Sequence, residues 1–313
     1  MLFSIIMPTY NVEAYVDKSI QSALRAMKNI ESSELIIIDD MSEDKTWKKV
    51  LNYNHLSNVH LHRIEHCGLG AARNYGLKIA KGDYILFLDS DDYYNASILE
   101  KLQNVILSDN SDMIVFQWQS LSERKVSPPY GDETLRGSWL ACWNKCYKRD
   151  LIKDHSFPEG ILYEDSGFSL RAQLDAKNVK FVNKPLYIHR SQSEGISRRK
   201  QTFLNRLDVM CGFEEVLSHY PKQEVKEIIV RTLISHLSRS IQRQEVIDGD
   251  DLDLLQNYLL KHDLFGTPIY LNSGRIASLC VQFLFYFENV WIVYIFLKWV
   301  YKITQLRRFK IGR

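Results

Sequence analysis

Three carboxylates, Asp89, Asp91 and Asp92, stand directly after a run of apolar residues, Tyr84-Ile85-Leu86-Phe87-Leu88. Such a run reads as a strand buried on both faces. Acids crowded at its end repel one another and are costly to desolvate without a counter-charge. A hard divalent cation supplies that charge, since Mg²⁺ and Mn²⁺ prefer carboxylate oxygens and commonly share them with substrate phosphates. The plain alternative is a solvated turn in which Asp89 or Asp92 caps the next helix. A second pair of acids, Asp39-Asp40, closes another apolar run, Leu35 to Ile38. A third pair, Glu164-Asp165, opens a helical pattern through Leu170 and Leu174. Acids in a first helical turn also favour the helix dipole, so local pattern leaves that pair open.

The elements that must position these groups follow from periodicity. Phe3 to Met7 is a short strand stopped by Pro8, and Asn11 is placed to cap a helix with its apolar stripe at Tyr15, Val16, Ile20, Ala23, Leu24 and Met27. Leu35 to Ile38 is a second strand, and Met41-Ser42-Glu43-Asp44 opens a helix carrying Trp47, Val50 and Leu51. Val59 to Ile64 alternates as a third strand. Gly68-Leu69-Gly70-Ala71-Ala72-Arg73-Asn74 then leads into a helix ending near Ala80. Tyr84 to Leu88 is the fourth strand and Asp112 to Trp118 a fifth. Alternating strands and helices imply right-handed crossovers and a mainly parallel sheet, an α/β fold. Such sheets bind ligands beyond the carboxyl ends of their strands. Thr9-Tyr10-Asn11, Asp39-Asp40 and Asp89-Ser90-Asp91-Asp92 all fall there. The glycines of 68–70 are a poor dinucleotide fingerprint, lacking the third glycine and not following the first strand. A nucleotide diphosphate near that helix start remains open, with Arg73 as its charge partner or as an ordinary surface ion pair.

Length and composition set the bounds. A chain of 313 residues holds one large domain plus an appendage. The formal net charge of +2 carries no nucleic-acid signature. Five cysteines without metal spacing point to a reducing compartment. The short apolar start, Leu2 to Met7, passes straight into a strand and is no signal peptide.

Taken together, Pro8-Thr9-Tyr10-Asn11, Ile38-Asp39-Asp40-Met41-Ser42-Glu43-Asp44, Gly68 to Asn74, Asp89-Ser90-Asp91-Asp92, Trp143-Asn144-Lys145 and Glu164-Asp165 resemble the family 2 glycosyltransferases. The pieces occur in the family order over residues 1–197. The resemblance implies a GT-A (Rossmann-like) catalytic domain over 1–197 and inverting transfer from a UDP-sugar. Pro8, Thr9, Tyr10 and Asp40 would hold the nucleoside, with Asp40 accepting from the uracil N–H and Asp39 supporting it or the ribose. Arg73 would lie near the base and diphosphate. Asp89 and Asp91 would bind the ribose and the Mn²⁺ or Mg²⁺ of an Asp-x-Asp motif, with Asp92 close to that metal or the donor sugar. Asp165 would be the general base, oriented by Glu164. Arg190 and the polar loop to Ser197 would close over the diphosphate. The family commonly has Gly where Met41 stands, which puts the nucleoside geometry in question.

From about residue 198 charged helices replace the sheet pattern: Phe203 to Leu217, Glu224 to Ile241 and Leu252 to Leu260. Ile276 to Tyr301 is aromatic and apolar but interrupted by Gln282, Glu288 and Asn289. The tail beyond it carries Lys302, Arg307, Arg308, Lys310 and Arg313 with no acid. This suits an interfacial helix on an anionic inner leaflet, with a core or homodimer helix, or a membrane span, as alternatives. The expectation is a cytoplasmic hexosyl- or N-acetylhexosaminyltransferase at the inner face of the cell membrane. It would extend a glycan or lipid-linked acceptor in cell-surface polysaccharide synthesis. A sugar-nucleotide pyrophosphorylase would want a glycine-rich, basic loop after the first strand, which Pro8 to Asn11 is not. A non-catalytic nucleotide-sugar-binding scaffold is the other alternative.

Overall fold

A computed structural model describes residues 3–122, 125–135, 137–191, 201–267 and 287–311, with the backbone alone for 303–311. The chain divides into two compact units, Met1–Arg198 and Arg199–Arg313.

In the first unit, β1 (Phe3–Thr9), β2 (Ser33–Asp39), β3 (Val59–Arg63) and β4 (Tyr84–Phe87) pair in parallel in the order β3-β2-β1-β4. Every residue of β1, β2 and β4 is buried, as continuous apolar runs require. Side chains alternate across the sheet with period two. Phe3, Ile5, Met7, Leu35, Ile37 and Leu86 join one core, with Val16, Ile20 and Ala23 of α1 (Val16–Met27). Ile6, Ile36, Ile38, Ile85 and Phe87 join the other, with Ala72 of α3 and Phe168 of α6 (α2 Thr46–Val50, α3 Leu69–Ile79, α4 Ile98–Asp109, α5 Arg149–Ile152, α6 Glu164–Asp175).

The far half of the sheet is mixed. Four-residue β8 (Lys145–Lys148) lies antiparallel between β4 and β6 (Met113–Ser122), and β6 pairs in parallel with β9 (Val179–Arg190). Short β5 (Tyr93–Tyr94) and β7 (Lys125–Val126) add antiparallel to β9 and β6. The fifth expected strand, Asp112 to Trp118, falls in β6, but antiparallel β8, too short to show a period of its own, separates it from β4.

Two local expectations are corrected. Asn11 does not cap α1, which starts at Val16 with Tyr15 before it and no side-chain cap. Asn11 instead takes φ +49° and its Oδ1 accepts from the Glu43 N–H at 2.8 Å, tying β1's exit to the 41–44 loop. That loop does not open a helix at Met41 either; α2 begins at Thr46, whose N–H donates to Asp44 Oδ1 at 2.8 Å. Met41 itself sits at φ +59°, a left-handed conformation that favours glycine.

The second unit is helical: α7 (Phe203–Leu207), α8 (Val209–His219), α9 (Gln223–Arg243), α10 (Gly249–Lys261) and α11 (Val290–Ile311). Capping boxes start α7 at Thr202/Asn205 and α10 at Asp248/Asp251. The apolar face of α9, including Ile229, Leu233 and Leu237, is buried, and Arg206 forms a fully buried pair with Glu245 at 2.6 Å. Of the aromatic stretch 276–301, residues 276–286 lie outside the described residues. Among the described residues no helix is long and apolar enough to cross a membrane.

Candidate active site

The ends of β1, β2 and β4 lie side by side, so the three polar clusters converge. Pro8 and Thr9 stand opposite Ile38 and Asp39 in the ladder. Thr9 Oγ1 donates to Asp39 Oδ1 at 3.2 Å. Asp39 is fully buried; its Oδ2 accepts from the Ser42 N–H at 3.1 Å and pairs with Arg63 Nε at 3.2 Å. Asp39 therefore braces the loop after β2. Its neighbour Asp40 accepts from the N–H groups of Cys67 (2.8 Å) and Gly68 (3.0 Å), one on each oxygen, with His66 Nδ1 2.9 Å away. Oδ1, which accepts only from Cys67, keeps a second lone pair for a ligand donor, whereas Oδ2 also faces His66. Tyr10, 40 % exposed, stacks on His66 at 4.4 Å beside that carboxylate.

The Gly68–Asn74 segment acts as a strut between the two halves of the site. Gly68, at φ +89°, precedes α3. A Cβ on Gly70 would meet the Pro158 carbonyl oxygen at 2.2 Å, so only glycine lets the 157–159 segment lie against this helix. Asn74 straps that segment, donating to Phe157 O (2.9 Å) and Glu159 Oε1 (2.8 Å) and accepting from the Phe157 N–H (2.8 Å). Between them Arg73 is 1 % exposed; its Nη2 donates to Asp89 at 2.8 Å, its Nη1 to Glu164, and its guanidinium lies 5.4 Å from the Phe157 ring. A surface ion pair is thereby excluded. The buried guanidinium thus bridges the acid after β4 and the first acid of α6.

The three acids after β4 differ. Asp89 is partly exposed and paired with Arg73. Burial, and then the charge of Asp89, push the Asp91 carboxyl up to about 6. Asp92 is 1 % exposed; its Oδ2 accepts from the Tyr187 hydroxyl at 2.7 Å and its Oδ1 from the Arg190 N–H at 2.6 Å. Asp92 thus pins β9 to the strand end. Neither Asp89 nor Asp92 caps a helix, since α4 follows Ser97. Arg190 lies between the rings of Tyr15 (4.6 Å) and Tyr93 (4.8 Å). Its Nε and Nη2 are buried and bond to nothing among the described residues. Ser197 lies outside the described residues.

Glu164 and Asp165 occupy the first turn of α6, after Tyr163 at φ +60°. Glu164 is buried against Arg73. Burial, and then Glu164, push the Asp165 carboxyl up to about 7, while its Oδ2 accepts from the Cys142 N–H at 3.3 Å. A carboxylate poised near neutrality is suited to accept a proton. The next residues, Trp143-Asn144-Lys145, had no structural reading from sequence. Lys145 is fully buried with Nζ within 2.6–3.2 Å of the oxygens of Ser138, Trp139, Ala141 and the Asn144 side chain. It holds the 138–144 segment over Asp165. A lysine inside the apolar stretch from Ala141 to Tyr147 was the available sign.

Among the described residues no three His, Cys, Asp or Glu side chains converge as a preformed metal centre. Asp89 and Asp91 nevertheless fit a hard cation that completes its shell with substrate oxygens. Burial, and then the charge of Asp89, raise the Asp91 carboxyl, and a cation would offset both. Asp92 braces β9 through one hydrogen bond on each carboxylate oxygen.

Acid-tipped parallel strands joined to a second, mixed half-sheet, with the pair Glu164-Asp165 at the start of α6, have the architecture of the GT-A class of nucleotide-sugar folds. The chain belongs to glycosyl transferase family 2, whose model matches residues 4–171. The poly(ribitol-phosphate) β-N-acetylglucosaminyltransferase TarS of Staphylococcus aureus is 30 % identical over 208 residues, 62 % of this chain and 36 % of that protein. The chain thus spans about a third of the length of that relative. The E. coli UDP-Glc:α-D-GlcNAc-diphosphoundecaprenol β-1,3-glucosyltransferase WfgD is 28 % identical over 225 residues, 68 % of this chain and 87 % of WfgD. The crystal structure of S. aureus TarS 1–349 with UDP-GlcNAc superimposes with a TM-score of 0.75 at 24 % identity, covering 97 % of this chain and 92 % of that one. That likeness shows the fold.

Proposed function

We propose that the chain is an inverting glycosyltransferase that moves a hexosyl or N-acetylhexosaminyl group from a UDP-sugar to a hydroxyl of a glycan or lipid-linked acceptor. The pathway is cell-surface polysaccharide synthesis. The carrying observation is that one buried guanidinium, Arg73, joins the strand-end acid Asp89 to the helix-start pair Glu164-Asp165. A donor held by the first is thereby fixed in register with a base on the second. Asp40 and Tyr10 form the nucleoside end. Asp89 and Asp91 would hold Mn²⁺ or Mg²⁺, which supplies positive charge for the leaving diphosphate when bound. Asp165 takes the proton of the attacking hydroxyl as that oxygen bonds to the anomeric carbon. The bond to UDP breaks on the opposite side, so the configuration inverts without a covalent intermediate. The reaction class of WfgD supports a lipid-linked acceptor, and that of TarS a polymer acceptor.

The unit boundary near residue 198 supports a catalytic domain followed by a helical extension. The exposed aromatic face of α11 supports peripheral attachment at the cytoplasmic face of the membrane; a homodimer contact through that face is the competing reading. The test is incubation with a panel of UDP-sugars and Mn²⁺, following UDP release with and without glycan acceptors. UDP release that never depends on an acceptor would leave a hydrolase, and no release from any donor a scaffold.

A further inference from the structure

Beside the base lies an aromatic cluster that the donor chemistry does not use. Trp118, 7 % exposed, is its buried plate. Tyr130 packs on it at 4.6 Å and Trp139 at 5.3 Å, and both remain nearly half exposed, at 43 % and 49 %. Trp143 meets Trp118 edge-on at 5.2 Å. Trp143 directly follows Cys142, whose N–H donates to Asp165.

The cluster is held rigid at a conformational cost. Trp139 adopts φ +65°, an outlier for so bulky a residue. Its carbonyl accepts from Lys145 Nζ at 2.6 Å, and the same ammonium binds the carbonyls of Ser138 and Ala141. Tyr130 is fixed by two backbone hydrogen bonds with Trp118, at 2.8 and 3.2 Å. A buried lysine thus anchors the backbone of an indole that leaves about half its surface in water.

We propose that Trp139 and Tyr130, backed by Trp118, form an acceptor subsite that stacks on the C–H face of a pyranose. The inference rests on the glycosyltransferase reading and deepens it. Aromatic faces carry partial negative charge, and the axial C–H groups of a pyranose carry the complement. Position selects this occupant: the 138–144 segment bears both Trp139 and the Cys142 N–H that touches Asp165. Trp139 stands two ring contacts from that segment's Trp143, so it receives a sugar beyond the one attacked. Trp139 is a specificity residue, and Lys145 is a positioning residue acting through it.

The test titrates the full chain, saturated with UDP and Mn²⁺, with chitobiose, cellobiose and poly(ribitol phosphate), following tryptophan emission and calorimetric heat. At least one disaccharide is expected to bind. Trp139→Ala should weaken that binding at least about tenfold, the worth of one stacked ring, and Trp139→Phe should restore most of it. UDP affinity, measured alongside, should stay within about twofold, well under one ring's worth. Disaccharide binding that survives Trp139→Ala overturns the subsite, as does binding of the ringless polymer alone or of no probe. Loss of UDP affinity in Trp139→Ala also overturns it, by showing a structural role. Failure of the wild-type chain to bind UDP or turn over any UDP-sugar would instead sink the glycosyltransferase reading.

Discussion

Arg73 reaches Asp89 at 2.8 Å while its other terminal nitrogen is bonded to Glu164, ninety-one residues away in sequence. Removing one partner of a buried ion pair leaves an uncompensated charge and typically costs about 3–5 kcal/mol. Arg73→Met should therefore destabilise the first unit by about that amount in chemical denaturation. Arg73→Lys, with a single point charge for two acids, should recover only part. A loss under about 1 kcal/mol for Arg73→Met would mean that the pair contributes nothing net.

The pair Glu164-Asp165 predicts the pH profile. The active form of Asp165 is its carboxylate, and burial with the neighbouring Glu164 pushes its pKa up to about 7. Transfer should thus fall with decreasing pH through about 7 and level off above it. Glu164→Gln removes the neighbouring negative charge, so the acid limb should move to lower pH. Asp165→Asn should lower turnover by about 10²–10⁴-fold while UDP affinity stays near wild type. An acid limb indifferent to Glu164→Gln would place its origin in another group.

The buried strands were legible because continuous apolar runs such as Leu35 to Ile38 leave few alternatives, and the acids at their ends marked the ligand-binding edge. What stayed hidden depends on contacts remote in sequence. That Asp92 also ties down β9 depends on Tyr187, ninety-five residues on, which donates to its Oδ2. Gly70 reads as half a fingerprint until Pro158 is seen against it. For Arg73 the sequence left a diphosphate partner and a surface ion pair both open, because nothing local reveals its burial. Trp143-Asn144-Lys145 was visible as a motif, but the lysine's cage of carbonyls needs the fold of the 138–144 segment.

Helix α11 buries Val290, Val293 and Leu297, yet leaves Ile295 62 % and Trp299 60 % exposed, with Trp291 one turn earlier at 40 %. These three recur every four residues and share a face with the exposed Lys298 and Lys302 at its border. Ile295→Asp/Trp299→Asp should reduce sedimentation with anionic vesicles at least about tenfold, since apolar insertion is lost. High salt should weaken wild-type attachment only in part, because screening spares apolar burial. A double variant that instead dissociates a dimer, with vesicle binding unchanged, would assign the stripe to a second copy.

Asp91 and Asp92 are adjacent and chemically identical, but should fail in opposite ways. Asp91 is raised to about 6 by burial and by Asp89, the condition a divalent cation relieves. Asp91→Asn should therefore abolish the Mn²⁺-dependent part of UDP binding and leave thermal unfolding nearly unchanged. Chelation of the wild-type chain should reproduce that loss. Asp92 is buried with Tyr187 and the Arg190 N–H on its two oxygens. In Asp92→Asn the amide keeps one acceptor and turns the other toward a donor, leaving a buried N–H unpaired at about 1–3 kcal/mol. It should lower the unfolding midpoint first, with metal-dependent UDP binding retained by the folded fraction. Calorimetry of UDP with and without Mn²⁺, beside denaturation curves, separates the two. If Asp92→Asn loses the metal dependence and Asp91→Asn keeps it, the ligand and the brace are exchanged.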